Sequence, residues 1–301
     1  MTLPETVVDA HHHLWHLERV SYPWLQAKGV RRFFGDPTPI QQTYDVPDFR
    51  ADWGAVPVAK SVHIQVGTPL DEALTETRWL AETARTHGGR VPTALVAMAD
   101  LRADDLDARL DAQAAASDRV RGIRQIVGRH PDEDRQTGSG ALIDDPAFAR
   151  GLERLAARGW RFDLQLIPEQ LAPMAAVLGQ VPALPVALCH MGSPWERSGD
   201  GFDRWRRGLA QLAALPNCMV KLSGFGMFDK HWTAESMAPV VDTVLHLFGP
   251  ARTMAGSNVP VDKLAKPYEA IWTELDRLTA ALSADERRQI FQTTAERFYA
   301  I

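Results

Sequence analysis

The chain has 301 residues, 45% of them hydrophobic and 24% charged, with a formal net charge of -5; this is an ordinary globular composition, long enough for one large α/β domain. That charge, without a basic stripe, gives no electrostatic footprint for nucleic acid or an anionic membrane, and neither is expected as a partner. No charged-then-apolar leader and no run of about eighteen apolar residues occur, so a cytoplasmic protein is expected, with Cys189 and Cys218 as reduced thiols in separate apolar runs.

The first element is Val7-Val8-Asp9-Ala10-His11-His12-His13-Leu14-Trp15. Strand side chains alternate, so His11 and His13 face one way and His12 the other. Two neutral imidazoles at i and i+2 can hold one divalent ion or grip one polar substrate. A short histidine run near a chain start can be a tag remnant, but this one is locked between a Val-Val strand and Leu14-Trp15. A long irregular stretch follows to about Asp52, carrying Tyr22-Pro23-Trp24-Leu25 and the turn cluster Gly35-Asp36-Pro37-Thr38-Pro39. Loops of that length are usually lids or binding loops. Arg31 and Arg32 within it are placed to reach an anionic group, although exposed paired arginines are more often solvated. Trp24, and later Trp195 and Trp232, stand where large amphipathic rings wall a pocket.

The second strand reads as 58–67, with His63 and Gln65 on one face, and an amphipathic helix runs from Leu70 to near His87-Gly88-Gly89. The alternation continues with a strand at 92–98, a helix at 104–116 and a strand at 120–127. A charged, glycine-containing loop at 128–140 leads to a helix at 145–158, whose start Asp144-Asp145-Pro146 marks. Strands at 161–166, 185–191, 218–224 and 253–258 are separated by helices at 168–178, up to about Leu215, and 236–248. Two helices finish the chain, the last opened by a capping box of Ser283 and Glu286.

Eight apolar strands alternating with helices predict an α/β fold: a single (β/α)8 barrel over residues 1–301, with a long loop after strand 1 and extra C-terminal helices. No Gly-x-Gly-x-x-Gly follows the first strand, so a dinucleotide fold has no support. Nothing in the sequence bears on oligomeric state. His11, His13, His63, Gln65, Arg124, Gln165, His190, Ser223 and Asn258 all fall near C-terminal strand ends, where barrels build their sites. This convergence makes His11, His13, His190 and His63 site candidates, with Asn258 beside them and Arg124, Gln65, Gln165 and Trp24 within reach of a small-molecule substrate. Arg124 carries the planar fork that suits a carboxylate or an oxyanion. Lys221, deeper in its strand than Ser223, reads as structural.

These motifs resemble the amidohydrolase superfamily, in the branch of barrel lactonases that act on sugar lactones and pyrone dicarboxylates. The resemblance rests on Asp9 to Trp15, Tyr22 to Leu25, Val62-His63-Ile64-Gln65, Arg121-Gly122-Ile123-Arg124, Phe162-Asp163-Leu164-Gln165, Cys189-His190, Val220 to Gly224 and Gly256 to Asp262. It implies hydrolysis of a carboxylic-ester ring, with His11, His13 and His190 in the site and Arg124 clamping the substrate. The superfamily pattern has a strand-eight aspartate as metal ligand and base, where this chain has Asn258; strands four and five also lack the ligands of two-metal members. What is left is one divalent metal, zinc, weakly bound on three histidines, or a metal-free pocket. With no aspartate, the base is His190, His63 or a metal-bound hydroxide. Decarboxylation on the same scaffold is the alternative chemistry, and a catalytically silent binding protein the third reading.

Overall fold

A computed structural model describes residues 2–137 and 139–301. Its eight strands are β1 (Val7–His12), β2 (Val58–Ile64), β3 (Ala94–Ala97), β4 (Val120–Ile126), β5 (Arg161–Gln165), β6 (Val186–Leu188), β7 (Cys218–Leu222) and β8 (Thr253–Ala255). They form one sheet in sequence order, each parallel to the next. The helices around it are α1 (Pro23–Gln26), α2 (Val46–Asp52), α3 (Ala73–Thr86), α4 (Leu106–Ala116), α5 (Pro131–Thr137), α6 (Pro146–Ala157), α7 (Leu171–Leu178), α8 (Gly199–Ala213), α9 (Phe225–Phe228), α10 (Ala234–Phe248), α11 (Tyr268–Leu278), α12 (Ala284–Arg288) and α13 (Thr294–Tyr299). This is the predicted (β/α)8 barrel. The caps form where the sequence put them: Asp145 accepts from Ala147 N ahead of α6, and Ser283 and Glu286 close a capping box on α12.

Alternation sorts the strand residues into two packing surfaces. Val8, Ala10, Val62, Ile64, Ala94, Val96, Ala187 and Met254 cluster inside the barrel, while Val7, Leu95, Ile123, Phe162, Leu164, Val220 and Leu222 pack outward with the helices. Ala295, Phe298 and Tyr299 of the C-terminal helix join the interior cluster. They plug the N-terminal end of the barrel, where Arg161 Nε donates to Phe298 O at 2.6 Å and Lys60 pairs with Glu296 at 2.8 Å.

The seam between β8 and β1 is closed by side chains and strand ends. Asp9 accepts from Ser257 N at 2.9 Å, Ser257 Oγ at 2.6 Å and Tyr268 Oη at 3.1 Å. Just beyond, Asn258 N donates to His11 O at 2.7 Å and His13 N to Val259 O at 2.8 Å. A Cβ on Gly256 would lie 2.7 Å from His11 Cβ and 2.8 Å from His11 N, so only glycine lets the two strands approach.

Three local differences from the sequence reading have physical reasons. The 18–52 stretch is not featureless, since Asp45 and Asp48 form a capping box that starts α2. The expected loop at 128–140 contains α5; Gly138 lies outside the described residues. β6 and β8 stop earlier than predicted because His190, Met191 and Asn258 have positive φ of 54°, 55° and 56°, which no strand tolerates. No helix of the described residues is long and apolar enough to cross a membrane.

Candidate active site

A β-bulge orients the histidine run. Asp9 pairs with Ser61 and His12 with His63, three residues on β1 against two on β2. With Val8 and Ala10 inside, strict alternation would turn His12 inward; the extra residue resets the phase and turns His11 and His13 inward instead. His12 lies outside, stacked on Phe49 at 4.2 Å with its Nε2 2.9 Å from Ser61 Oγ.

The inward rings meet His190. Ring centroids are 5.2 Å apart for His11 and His13 and 4.5 Å for His11 and His190, which joins the ends of the first and sixth strands, and the Asn258 N bond to His11 O adds the eighth. His13 Nδ1 donates to Ile64 O at 2.7 Å, so the neutral ring carries its bare nitrogen at Nε2. His190 is held in its left-handed conformation with Nδ1 2.9 Å from Ser223 Oγ, leaving Nε2 as its other nitrogen. Gly224 is required here, since a Cβ would lie 2.4 Å from His190 Nδ1. Burial, and after it neighbouring positive groups, holds His11, His13 and His190 well below the ordinary imidazole range. All three are neutral near pH 7.

A pocket opens over this cluster. His13, His190, Asn258, Arg124 and Gln165 line it, together with Trp24, whose Nε1 donates to Val66 O at 2.6 Å. Arg124 is buried, donating to Gln165 Oε1 at 3.0 Å and to Gln65 O, with its Nε unpartnered. Burial lowers its guanidinium to about 10, so it stays charged at neutral pH. Below lies a fully buried pair, Lys221 and Asp163, with Tyr299 Oη 2.8 Å from the same carboxylate oxygen. Lys221 is thus structural, as its depth in the strand suggested.

Other expectations are corrected. His63 faces outward with His12, because β2 presents Val62 and Ile64 to the interior; its Nδ1 accepts from Leu14 N at 3.1 Å, a backbone clip away from the pocket. Gln65 does not line the pocket either, since its amide is spent on Arg124 O at 3.2 Å and Gly67 N at 2.5 Å. Trp232 is buried against Phe225 at 4.6 Å and Trp195 packs on His130 at 5.3 Å, so neither walls the pocket. Arg32 is not a solvated charge. It lines the pocket, paired with Glu133 at 2.9 Å, and Arg129, Phe33 and Phe34 stand beside it. Their positions in loops after β1 and β4 are the only signal the sequence held.

Of the two expectations, one metal on three histidines or a metal-free pocket, these side chains carry the first only in part. His11 has both ring nitrogens buried without partners, which suits a ligand. Yet among the described residues no group of three or more His, Cys, Asp or Glu is disposed to hold a metal ion. Asn258, beside them, offers no negative charge to draw a cation.

The amidohydrolase family model matches residues 8–301. The chain belongs to the amidohydrolase family. It is 36% identical to the uncharacterized protein y4mH of Sinorhizobium fredii over 98% of both chains. It is 30% identical to the L-fucono-1,5-lactonase of Burkholderia multivorans, covering 98% of this chain and 96% of that one. Among solved structures, an amidohydrolase from Burkholderia multivorans crystallised with bound zinc superposes with a TM-score of 0.82 at 29% identity, covering 98% of this chain and 99% of that one. The chain is therefore an amidohydrolase-family hydrolase.

Proposed function

We propose that this chain, acting as one domain over residues 1–301, opens a small lactone that carries an anionic substituent. The lactonase among its relatives supports the reaction class. The observation that carries the substrate class is the pocket wall: Arg32, Arg124 and Arg129 line it with two neutral imidazoles, and no lining residue is acidic among those described. An anion enters such a wall with little desolvation left uncompensated, and hydrogen bonds to charged groups contribute about 1.5–3 kcal/mol each.

In this reading Arg124 and Gln165 orient the ring carbonyl and Trp24 covers the ring face. A water attacks the carbonyl carbon while Nε2 of His190 accepts its proton; the ring C–O bond then breaks and the same proton passes to the leaving ring oxygen. Burial keeps this imidazole unprotonated across the neutral range, so a nitrogen lone pair is present at Nε2.

The test is a panel of neutral 1,4- and 1,5-sugar lactones, including L-fucono-1,5-lactone, and lactones bearing a carboxylate. It is followed by proton release and carbon dioxide detection, with the native chain and Arg124→Lys. Ring opening with lower KM for carboxylated lactones is expected, and a KM at least about tenfold higher for Arg124→Lys, because an ammonium lacks the planar fork. Carbon dioxide release without ring opening would establish the decarboxylase instead, no turnover would leave a binding protein, and a preference for neutral lactones would remove the anionic requirement.

A further inference from the structure

Asp262 is a buried carboxylate that the mechanism above does not use, 1% exposed on the turn that follows β8. Its Oδ1 accepts from Asn258 Nδ2 at 2.9 Å and its Oδ2 from Gly226 N at 3.1 Å. Gly226 belongs to α9, which follows Ser223 and carries the pocket residue Met227. One carboxylate therefore ties the β7 and β8 turns together and grips the amide that lines the pocket.

That grip has a chemical consequence. The two ends of an asparagine amide are alike in shape, and only hydrogen bonding decides which end points where. A carboxylate only accepts, so it draws Nδ2 toward itself and sends Oδ1 the other way. The backbone of Asn258 is already fixed by its bond to His11 O and its left-handed φ of 56°. We propose that Asp262 is a positioning residue that makes Asn258 present an acceptor, and not a donor, to the reacting water. With Asn258 Oδ1 taking one proton in a hydrogen bond and His190 Nε2 the other, the water oxygen keeps a lone pair for the carbonyl carbon. This rests on the lactonase reading above.

Substitutions can reverse the polarity without removing a group. In Asp262→Asn the new Oδ1 still accepts from Gly226 N, so the new Nδ2 faces Asn258 and forces that amide to turn its oxygen inward and its NH2 to the pocket. In Asn258→Asp two carboxylates oppose each other. In the exchange Asn258→Asp with Asp262→Asn, the amide at 262 donates to the carboxylate at 258, Gly226 N keeps its acceptor, and the pocket again meets an acceptor.

The experiment measures kcat and KM at pH 8, above the value of about 7 to which burial lifts the Asp262 carboxyl, with thermal unfolding as the check on folding. Asp262→Asn is expected to lower kcat at least about tenfold with KM changed less than about threefold, and the exchange variant to recover most of that loss. An Asp262→Asn protein that keeps its kcat, or a folded exchange variant no faster than either single variant, overturns the proposal. If Asp262→Asn does not fold, the exchange variant, which keeps both hydrogen bonds of residue 262, decides alone. A native chain that opens no lactone would instead refute the functional reading on which this rests.

Discussion

Two groups of histidines lie within one residue of each other along β1 and behave as different materials. His11 and His13, with His190, face the barrel mouth and line or back the pocket. His12 and His63, 5.9 Å apart, are sealed between the barrel wall and α2, one stacked on Phe49 and the other holding the backbone of Leu14. All are buried, and burial holds all of them below the ordinary imidazole range. What separates them is access, which a one-residue bulge decides. Burial and a shifted pKa therefore do not single out a catalytic histidine in this fold; the wall it stands on does.

The comparison breaks most readily at His190. Replacing His190 with Asn keeps a polar group beside Ser223 but removes the proton acceptor, and general-base catalysis typically contributes about 10²–10⁴-fold. We expect kcat for lactone opening to fall by that amount with the melting temperature little changed. A variant retaining more than a tenth of native kcat would move the base to His13 or elsewhere.

The mirror experiment is His12→Ala. It deletes the ring stacked on Phe49 and strands Ser61 without its 2.9 Å partner, so a loss of about 2–3 kcal/mol in unfolding free energy is expected from the cavity and the orphaned hydroxyl. Turnover per folded molecule should stay within about twofold. Chemical denaturation paired with active-site titration separates the two quantities; a folded variant with kcat down tenfold would show that the outer group reaches the chemistry.

The difficulty of telling these groups apart in the sequence has a physical origin. All strands and most helices were legible from apolar runs and caps, because a parallel barrel repeats one pattern at regular spacing. Both faces of a barrel strand are buried, however, so polarity does not reveal which face a residue occupies. In Val62-His63-Ile64-Gln65 the apolar pair fills the interior and the histidine points out, the reverse of what a pocket-facing reading assumes. His11 and His13 were correctly paired by alternation, yet their inward turn depends on a bulge that no residue announces. Trp24 reaches the pocket while Trp195 and Trp232 do not, and Arg32 and Arg129 reach it from loops, because loop side chains are placed by tertiary contacts such as Arg32 with Glu133.

The gentlest probe of the comparison is Glu76, a third sealed polar group. Its Oε1 accepts from Val66 N at 3.1 Å, and Val66 is part of the pocket wall whose carbonyl holds Trp24. Burial raises its carboxyl from 4.5 to about 8, against the opposing pull of the Val66 N–H and the Arg124 charge. The folded chain therefore holds a proton that the unfolded chain releases above about 4.5, and unfolding is favoured increasingly as pH rises from about 4.5 to about 8. Glu76→Gln keeps an acceptor for Val66 N but does not titrate, and it keeps a polar group against Tyr22, whose hydroxyl interacts with the Glu76 carboxyl. Its stability relative to the native chain should be nearly level at pH 4.5 and should improve with pH, reaching on the order of 1–3 kcal/mol at pH 8 once relaxation of the buried site is allowed for. The measurement is the difference in unfolding free energy between the two proteins across that range. A difference that is flat with pH would mean that Glu76 is ionised in the folded chain, and that this side of the wall is as open to water as the pocket itself.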